Sequence, residues 1–308
     1  AVPMLTGFLR HHGVSVLPID ANIEAWDELL EPAPLAALRD RLERRLAKLE
    51  ARPHLEHTEQ LAYTALWRAR GDAHAVPLHI AEAKATLRDR ERFHDPRAYA
   101  DAVETIEAAT RVVSAAHAPL HLDFSAYRTP FSLTTPDEIR LDATPQRDPF
   151  DNYIKKSLLP RLLRERPAVI GLSVAFPGQL QPAYSFAQKL KAALPEAHIT
   201  VGGPAITQIL IRLKDRALAA ALGPFDSAVV FEGEHPLLRL LTALDEKRPL
   251  GELENIVLRR EDGTAAYRAG HGMEDLKQLP APDFDGLPLE RYLSPQLVLP
   301  YDPTRGCY

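Results

Sequence analysis

Residues 168–176 read AVIGLSVAF, a nearly unbroken apolar run. A run of this length and composition predicts a strand of a parallel sheet that is covered on both faces. It is followed over residues 183–194 by a segment whose apolar side chains repeat at helical spacing. One face of that segment is therefore predicted to pack on the sheet. This strand-and-helix pair defines the pattern that residues 198–244 repeat.

Two more strands of the same kind follow along the chain. Residues 198–201 form a short apolar run that ends in Gly202-Gly203-Pro204. Residues 227–231 form the next run, which leads through Glu232-Gly233-Glu234 into a leucine-rich helix over 236–244. Strands that alternate with helices predict an α/β fold with a Rossmann-like, doubly wound parallel sheet.

Between residues 25 and 164 the pattern becomes helical. One leucine stripe repeats at helical spacing among charged residues: Leu35, Leu38, Leu42, Leu46 and Leu49. Asp95-Pro96 and Asp148-Pro149 are typical helix starts. The stripes that they predict are Tyr99, Val103, Ile106, Thr110 and Val113, and then Ile154, Leu158 and Leu162. We therefore predict that a helical insertion over 25–164 interrupts a sheet domain made of residues 1–24 and 165–250.

The flanks of the sheet domain carry three further predictions. The branched apolar run Val14–Ile19 predicts a buried strand after a helix over residues 4–12. Residues 251–300 are predicted to hold a hairpin, turned by Asp262-Gly263, and a proline-rich linker pinned against a surface. Residues 301–308 are predicted to start a further domain.

Composition excludes several classes of protein. The net charge of -5 disfavours a nucleic-acid partner, because phosphate binding needs a basic surface. No apolar run reaches the roughly 18 residues that span a bilayer, so we expect no membrane partner. One cysteine excludes an intrachain disulfide. Together with the lack of a leader sequence at the N-terminus, this favours a cytoplasmic location.

The candidate binding residues lie where the predicted strands end. In α/β sheets, ligands bind beyond the carboxyl ends of the strands. Ser173, Gly202-Gly203 and Glu232-Gly233-Glu234 occupy three such ends. Glycine permits close approach of a ligand to the backbone, and it is equally typical of a plain tight turn. These residues predict a nucleotide-like ligand at one edge of the sheet.

The spacing of these residues resembles that of a known family. Ser173-Val174-Ala175 is followed after 26 residues by Gly202-Gly203, which is similar to the Ser-x-Leu and Gly-Gly motif of Rossmann-like cobalamin-binding domains. Ala175 departs from the leucine of that motif. The resemblance implies that the serine contacts the cobalamin tail and that the glycines let this tail enter the sheet. The implied cobalamin-binding residues are Ser173, Val174, Gly202, Gly203, Pro204, Glu232, Gly233 and Glu234. The Asp-x-His-x-x-Gly motif of the family is absent, so no histidine ligand of cobalt is assigned.

The last residues carry a second resemblance. Thr304-Arg305-Gly306-Cys307 is similar to the segment that opens the barrel of radical S-adenosylmethionine enzymes. The resemblance implies that Cys307 is the first of three thiolates that hold a [4Fe–4S] cluster, to which S-adenosylmethionine binds. The Leu279–Pro282 stretch resembles the linker that joins the two domains in this superfamily. We therefore expect residues 301–308 to be the first strand of a truncated barrel.

Two other stretches, 125–132 and 283–295, resemble a subgroup that matures peptide natural products. This implies a full-length enzyme that transfers a methyl group from methylcobalamin and S-adenosylmethionine to an unactivated carbon of a peptide or other natural product. Radical rearrangement or cyclisation is an alternative within the superfamily. A free-standing cobalamin sensor or carrier is another, and a flavodoxin-like or nucleotide-binding domain is a third.

Some residues whose types suggest a metal site or a catalytic site have simpler interpretations. His117, His121 and Asp123 have the composition of a metal site, but Pro119 predicts that the helix ends between the histidines. Glu232 and Glu234 could form a catalytic carboxylate pair, or they could bind loop amides. No Walker loop and no Gly-x-Ser-x-Gly motif occur, so P-loop and hydrolase functions have no support.

Overall fold

The computed structural model describes residues 1–129, 147–270 and 274–299. It is a mixed α/β structure that divides into two compact units. The sheet unit comprises residues 1–20 and the described part of 119–287. The helical unit comprises residues 21–118 and 288–299. None of the helices in the described ranges combines the length and the apolar character that crossing a bilayer requires.

The elements of the described chain are as follows. The helices are α1 (Val2–His11), α2 (Ala21–Leu29), α3 (Pro32–Glu50), α4 (His57–Arg88), α5 (Arg90–Phe93), α6 (Pro96–Ala116), α7 (Asp151–Tyr153), α8 (Leu159–Glu165), α9 (Leu180–Ala193), α10 (Pro204–Leu210), α11 (Asp215–Leu222) and α12 (Glu234–Asp245). The strands are β1 (His121–Leu122), β2 (Tyr127–Arg128), β3 (Val169–Ser173), β4 (His198–Gly202), β5 (Ser227–Val229), β6 (Ile256–Arg259) and β7 (Ala265–Ala266). A π-helical turn (Ile154–Leu158) joins α7 to α8, and 3-10 turns lie at Pro177–Gln179, Leu250–Glu252 and Leu289–Arg291.

The main sheet has five strands in the order β3-β4-β5-β6-β7. The first three are parallel, as predicted, and are joined by helical crossovers, which parallel neighbours require. The predicted hairpin of β6 and β7 around Asp262-Gly263 is confirmed, but β6 also pairs antiparallel with β5. The sheet is therefore mixed. Because these strands follow chain order without a reversal, the described part does not contain the switch that defines a doubly wound sheet.

The position of β3 differs from the prediction of a strand covered on both sides. Within the described part of the sheet, β3 pairs only with β4 and forms an edge. Its residues are half-buried and Gly171 is exposed. The apolar run alone could not distinguish an edge strand from a central one, because periodicity does not report the number of paired neighbours.

The predicted strand at Val14–Ile19 is wrong. Gly13, with φ +78°, follows the end of α1, and the next residues are neither helix nor strand. The Val16 carbonyl accepts a hydrogen bond from Arg10 at 3.2 Å, and Pro18 has no N–H to donate to a neighbouring strand. The branched residues indicated β structure, but the side chain of Arg10 binds one of the backbone groups that a ladder would need.

The helical unit has its core between α3, α4 and α6. The predicted leucine stripe is confirmed: Leu35, Leu42 and Leu46 are fully buried. Leu38 and Leu49 pack against the cluster that contains Leu42 and Leu46. The carboxylate of Asp95 caps α6 through the amides of Arg97 and Ala98, as predicted. Tyr99 is the exception in the α6 stripe. It lies on the first turn, is 41% exposed and contacts the ring of Phe93.

Residues 147–165 belong to the sheet unit, whereas the sequence grouped them with the helical insertion. The physical reason is the buried carboxylate of Asp148. It accepts hydrogen bonds from Ser185 and Lys189 of α9, both at 2.5 Å. Lys189 also lies 2.9 Å from Asp151. The side chains predicted to be buried here, Ile154, Leu158 and Leu162, are buried.

Candidate functional site

The first two predicted site residues lie side by side at the carboxyl ends of two parallel strands. Ser173 ends β3 and is the register partner of Gly202, the last residue of β4. The amide of Val174 donates to the Gly202 carbonyl at 2.8 Å, so the pairing continues one residue past the strand. Ser173 is half-buried and Val174 is fully buried. The structure therefore brings together Ser173 and Gly202, which lie 29 positions apart in the sequence.

Gly203 lets the chain turn against the end of β3. Its φ of +111° belongs to a region that other residues rarely adopt. A Cβ at this position would overlap the carbonyl oxygen of Val174 and lie 2.8 Å from its carbonyl carbon. A Cβ on Gly202 would lie 3.3 Å from the carbonyl oxygen of Val229. The glycine pair thus allows three strand ends to lie close together. The space that a Cβ would need at each glycine is occupied by backbone atoms of the protein itself.

Two exposed phenylalanines, which the sequence analysis did not assign to the site, follow these strands. Phe176, three residues after the end of β3, is 68% exposed, and Phe231, two residues after β5, is 45% exposed. Gln179 fixes the turn at Phe176, because its side-chain oxygen accepts from the amides of Ala175 and Phe176 at 2.8 and 3.2 Å. The sequence did contain a signal for Phe176, because it is the one aromatic residue of the apolar run 168–176 and stands at its end.

The backbone at Phe231 is strained. Its φ of +67° is rare for an aromatic residue and costs of order 1–3 kcal/mol in a folded protein. The Phe231 amide donates to Thr207 Oγ1 of α10 at 3.3 Å, and its ring centroid lies 6.4 Å from that of Tyr267. Strained residues of this kind concentrate at binding sites. The sequence gives no signal for this conformation, because it depends on the neighbouring helix.

The Glu232-Gly233-Glu234 segment joins β5 to α12 and is turned partly toward α1. The Glu232 carboxylate accepts a hydrogen bond from the amide of Glu274. Glu234 is the first residue of α12 and is buried. A Cβ on Gly233 would lie 3.6 Å from the Leu5 side chain of α1. For Glu232, the loop-amide interpretation is therefore the one that the structure supports.

The serine–histidine contact in the sheet lies away from the strand ends. His198 Nε2 lies 2.8 Å from Ser227 Oγ, and Ser227 donates to Thr200 Oγ1 at 2.9 Å. Burial lowers the pKa of His198, although the nearby carboxylate of Asp226 opposes this shift. Ser227 is fully buried, so no substrate can reach its hydroxyl. This contact joins β4 to β5 and does not form a nucleophilic site.

His117, His121 and Asp123, which have the composition of a metal site, lie in different units. His117 belongs to the helical unit, where its ring contacts the carbonyl of Val113 and Arg41. In the sheet unit, His121 Nε2 lies 3.1 Å from Asp123 on an exposed turn. Over the described ranges, no group of three or more His, Cys, Asp or Glu side chains could hold a metal ion. Cys307 and the predicted barrel strand 301–308 lie outside the described residues.

The carboxyl edge, as we call residues 173–176, 202–204 and 231–234, is therefore the candidate binding surface. It combines a half-buried hydroxyl, two exposed aromatic rings and a glycine pair that sets the strand spacing. Such a surface can bind a flat, largely apolar ligand that has some polar groups. Comparison of the chain with protein-family models, with curated proteins and with solved structures found no match.

Proposed function

We propose that the carboxyl edge binds cobalamin, and that the sheet unit is part of a Rossmann-like cobalamin-binding domain. In the full-length protein this domain would serve a radical S-adenosylmethionine enzyme that transfers a methyl group to an unactivated carbon. The substrate would be a peptide or another natural product. The proposal rests first on the sequence resemblance and then on the geometry of the strand ends.

One observation carries the proposal. Ser173 and Gly202, which the motif spacing pairs in the sequence, are register partners at the carboxyl ends of adjacent parallel strands. This is the end of an α/β sheet at which ligands bind. A Gly-Gly pair in an unrelated turn would have no reason to lie beside a serine that comes 29 residues earlier in the chain.

The residues at the edge fit a corrin-type ligand in part. Phe176 and Phe231 expose apolar rings, which suit a large flat macrocycle. The Ser173 hydroxyl, which is half-buried at the edge, offers a hydrogen bond to an amide substituent. The glycines favour binding by setting the strand spacing, because the space where a Cβ would lie is occupied by Val174 and Val229. This differs from the implied role of opening a path into the sheet.

Cobalamin, when bound, supplies a methyl group on cobalt, and the role of this chain is to bind and shield it. Ser173 would contact the ligand, Phe176 and Phe231 would cover apolar surface, and Gln179 would keep the turn of Phe176 in place. An iron–sulfur cluster of the implied kind needs three thiolates, whereas these 308 residues contain one cysteine. No step is therefore assigned to that cluster in this chain.

Titration with hydroxocobalamin tests the proposal. The purified chain should retain a corrinoid absorbance band after desalting, and Phe176→Ala should weaken binding about tenfold, because an aromatic contact contributes roughly 1–1.5 kcal/mol. Leu163→Ala is the matched control, since Leu163 is 47% exposed on α8. A colourless protein after desalting, or equal losses in the two variants, would contradict the proposal.

The proposed reaction has a separate test on the full-length enzyme. S-adenosylmethionine with an isotopically labelled methyl group should give a peptide product heavier by one labelled methyl. A product of unchanged mass that is cyclised or rearranged would support the alternative radical chemistry. Failure of this test would leave the binding result intact, so the two parts of the proposal can be judged independently.

A further inference from the structure

Helix α4 exposes an apolar face that lies opposite its packing face. Its buried side packs against α3 and α6, with Leu66, Ala69 and Ala73 in the core of the helical unit. On the other side Trp67 is 59% exposed and Leu78 is 77% exposed. Two such side chains on one face are unusual, because the outer face of a surface helix normally carries charged and polar residues.

Many of the exposed positions of α4 repeat with a seven-residue period. All of the following are exposed: Thr64, Trp67, Arg68, Gly71, His74, Ala75, Leu78, Ala81, Glu82 and Ala85. This is the spacing with which one helix packs along another. Small residues alternate with the two large ones, and a Cβ on Gly71 would meet nothing within 4 Å. The face therefore has both projecting side chains and open positions that could receive them.

The charges on this face are arranged symmetrically about Ala75. Arg68 lies seven residues before Ala75, and Glu82 lies seven residues after it. They stand about 21 Å apart along the helix. If a second α4 lies antiparallel with its Ala75 opposite the first, each Arg68 faces a Glu82. A parallel arrangement would instead place like charges opposite each other.

The shapes of the face fit the same antiparallel register. Leu78 would enter the space bordered by Arg68, Gly71, Asp72 and Ala75 of the other helix. Trp67 would cover the space bordered by Leu78, Ala81, Glu82 and Ala85 of the other helix. Each large side chain thus meets at least two glycine or alanine residues. Knobs-into-holes packing uses four-residue spaces of this kind.

We propose that this face of α4, residues 64–85, binds a second copy of the chain as an antiparallel, two-fold symmetric helix pair. The partner is another copy because the face is complementary to itself in both charge and shape. A two-fold contact uses one surface patch on both subunits. This surface belongs to the helical unit and does not depend on the proposed cobalamin site.

Sedimentation equilibrium of the full 308-residue chain tests the proposal, with reciprocal charge changes as the decisive variants. The wild-type chain should dimerise. Arg68→Glu and Glu82→Arg should each weaken dimerisation about tenfold, because each places two like-charge pairs across the interface. The double variant should recover wild-type affinity to within about threefold, since its charges are again complementary. Recovery distinguishes the antiparallel pair from every other use of this face.

The controls separate association from folding. Leu78→Glu should abolish the dimer, whereas Leu163→Glu, which changes an exposed leucine on α8, should leave it unchanged. Glu82 also contacts Arg92 at 2.5 Å, so thermal unfolding of each variant is measured beside its association. A wild-type chain that stays monomeric, a dimer insensitive to Leu78→Glu, or a double variant as weak as the single ones would overturn the proposal.

Discussion

Gly203 lies so close to Val174 that a side chain at position 203 would overlap the carbonyl of Val174. The backbone of Gly203 also has a φ of +111°. Replacement by alanine therefore adds both a steric overlap and a conformational penalty. Because β3 cannot move away without losing its pairing with β4, the strand ends must separate or the turn must change.

Gly203→Ala should lower the free energy of unfolding by about 2–4 kcal/mol, as the sum of overpacking and backbone strain. Gly263→Ala is the matched control, because Gly263 has φ +79° but nothing within 4 Å of its missing Cβ. The Gly263→Ala control should lower the free energy of unfolding by only about 1 kcal/mol. Urea unfolding measures both changes. Equal losses would show that the contact with Val174 contributes nothing.

His198 should make the stability of the sheet unit depend on pH. Burial lowers the pKa of His198 below its ordinary value of 6.5, so the folded state favours the neutral ring. The associated stability is fully present above pH 6.5 and is lost as the pH falls through the lowered pKa. His198→Gln should reduce the difference between the unfolding midpoints at about pH 7.5 and 5.5. An unchanged difference in the variant would contradict this assignment.

Replacement of Lys189 should be among the most destabilising substitutions outside the strand ends. It lies 2.5 Å from Asp148 and 2.9 Å from Asp151, and its side chain is 15% exposed. Lys189→Met leaves the buried carboxylate of Asp148 without its counter-charge and should cost about 3–5 kcal/mol. Lys155→Met, which removes a more exposed contact with Asp151, should cost less than about 1 kcal/mol. Denaturant unfolding at neutral pH should show this order, and the reverse order would refute it.

The pairing of Arg10 with Asp283 should control access to the proline-rich stretch. Arg10 donates to the Asp283 carboxylate at 2.7 Å. The Asp283 amide donates to the Pro3 carbonyl, and a side chain on Gly7 would overlap Ala281. The hydrogen bond from Arg10 to the Asp283 carboxylate is the main cause of the lowered pKa of Asp283. The pairing is therefore lost only as the pH falls through this lowered pKa. Residues 281–285 are thus held against α1, whereas their role as a linker stays a prediction.

Limited proteolysis measures the contribution of this pairing. Arg10→Ala should speed cleavage within residues 279–287, because the segment loses two hydrogen bonds, those to the carboxylate of Asp283 and to the carbonyl of Asp285. Arg39→Ala is the control, since Arg39 also contacts a carboxylate, that of Asp40. Cleavage of both variants at the wild-type rate would mean that α1 holds the stretch without Arg10.

The sequence predicted the individual strands and helices better than it predicted which of them pack together. The parallel strands β3, β4 and β5, the hairpin of β6 and β7, and the leucine stripe of α3 follow from periodicity and turn residues. The edge position of β3, the pairing of β6 with β5 and the attachment of residues 147–165 to the sheet unit do not. They depend on which surfaces meet in three dimensions, as the buried contact of Asp148 with α9 illustrates.

The same limit applies to the candidate site. Motif spacing placed Ser173 next to Gly202, because the carboxyl ends of parallel strands share one edge. It did not indicate Phe231, whose strained backbone depends on Thr207 of α10, nor the bond of Glu232 to the backbone of residue 274. Contacts between segments distant in the chain leave no periodic signal in a single sequence.

Hydrogen exchange in the presence and absence of hydroxocobalamin tests the central claim most directly, because it reports where the ligand binds. We predict slower exchange of backbone amides within residues 174–176, 202–203 and 231–233, with little change in β6, β7 and the helical unit. Unchanged exchange at all three strand ends, or protection confined to other parts of the chain, would contradict a cobalamin site at the carboxyl edge.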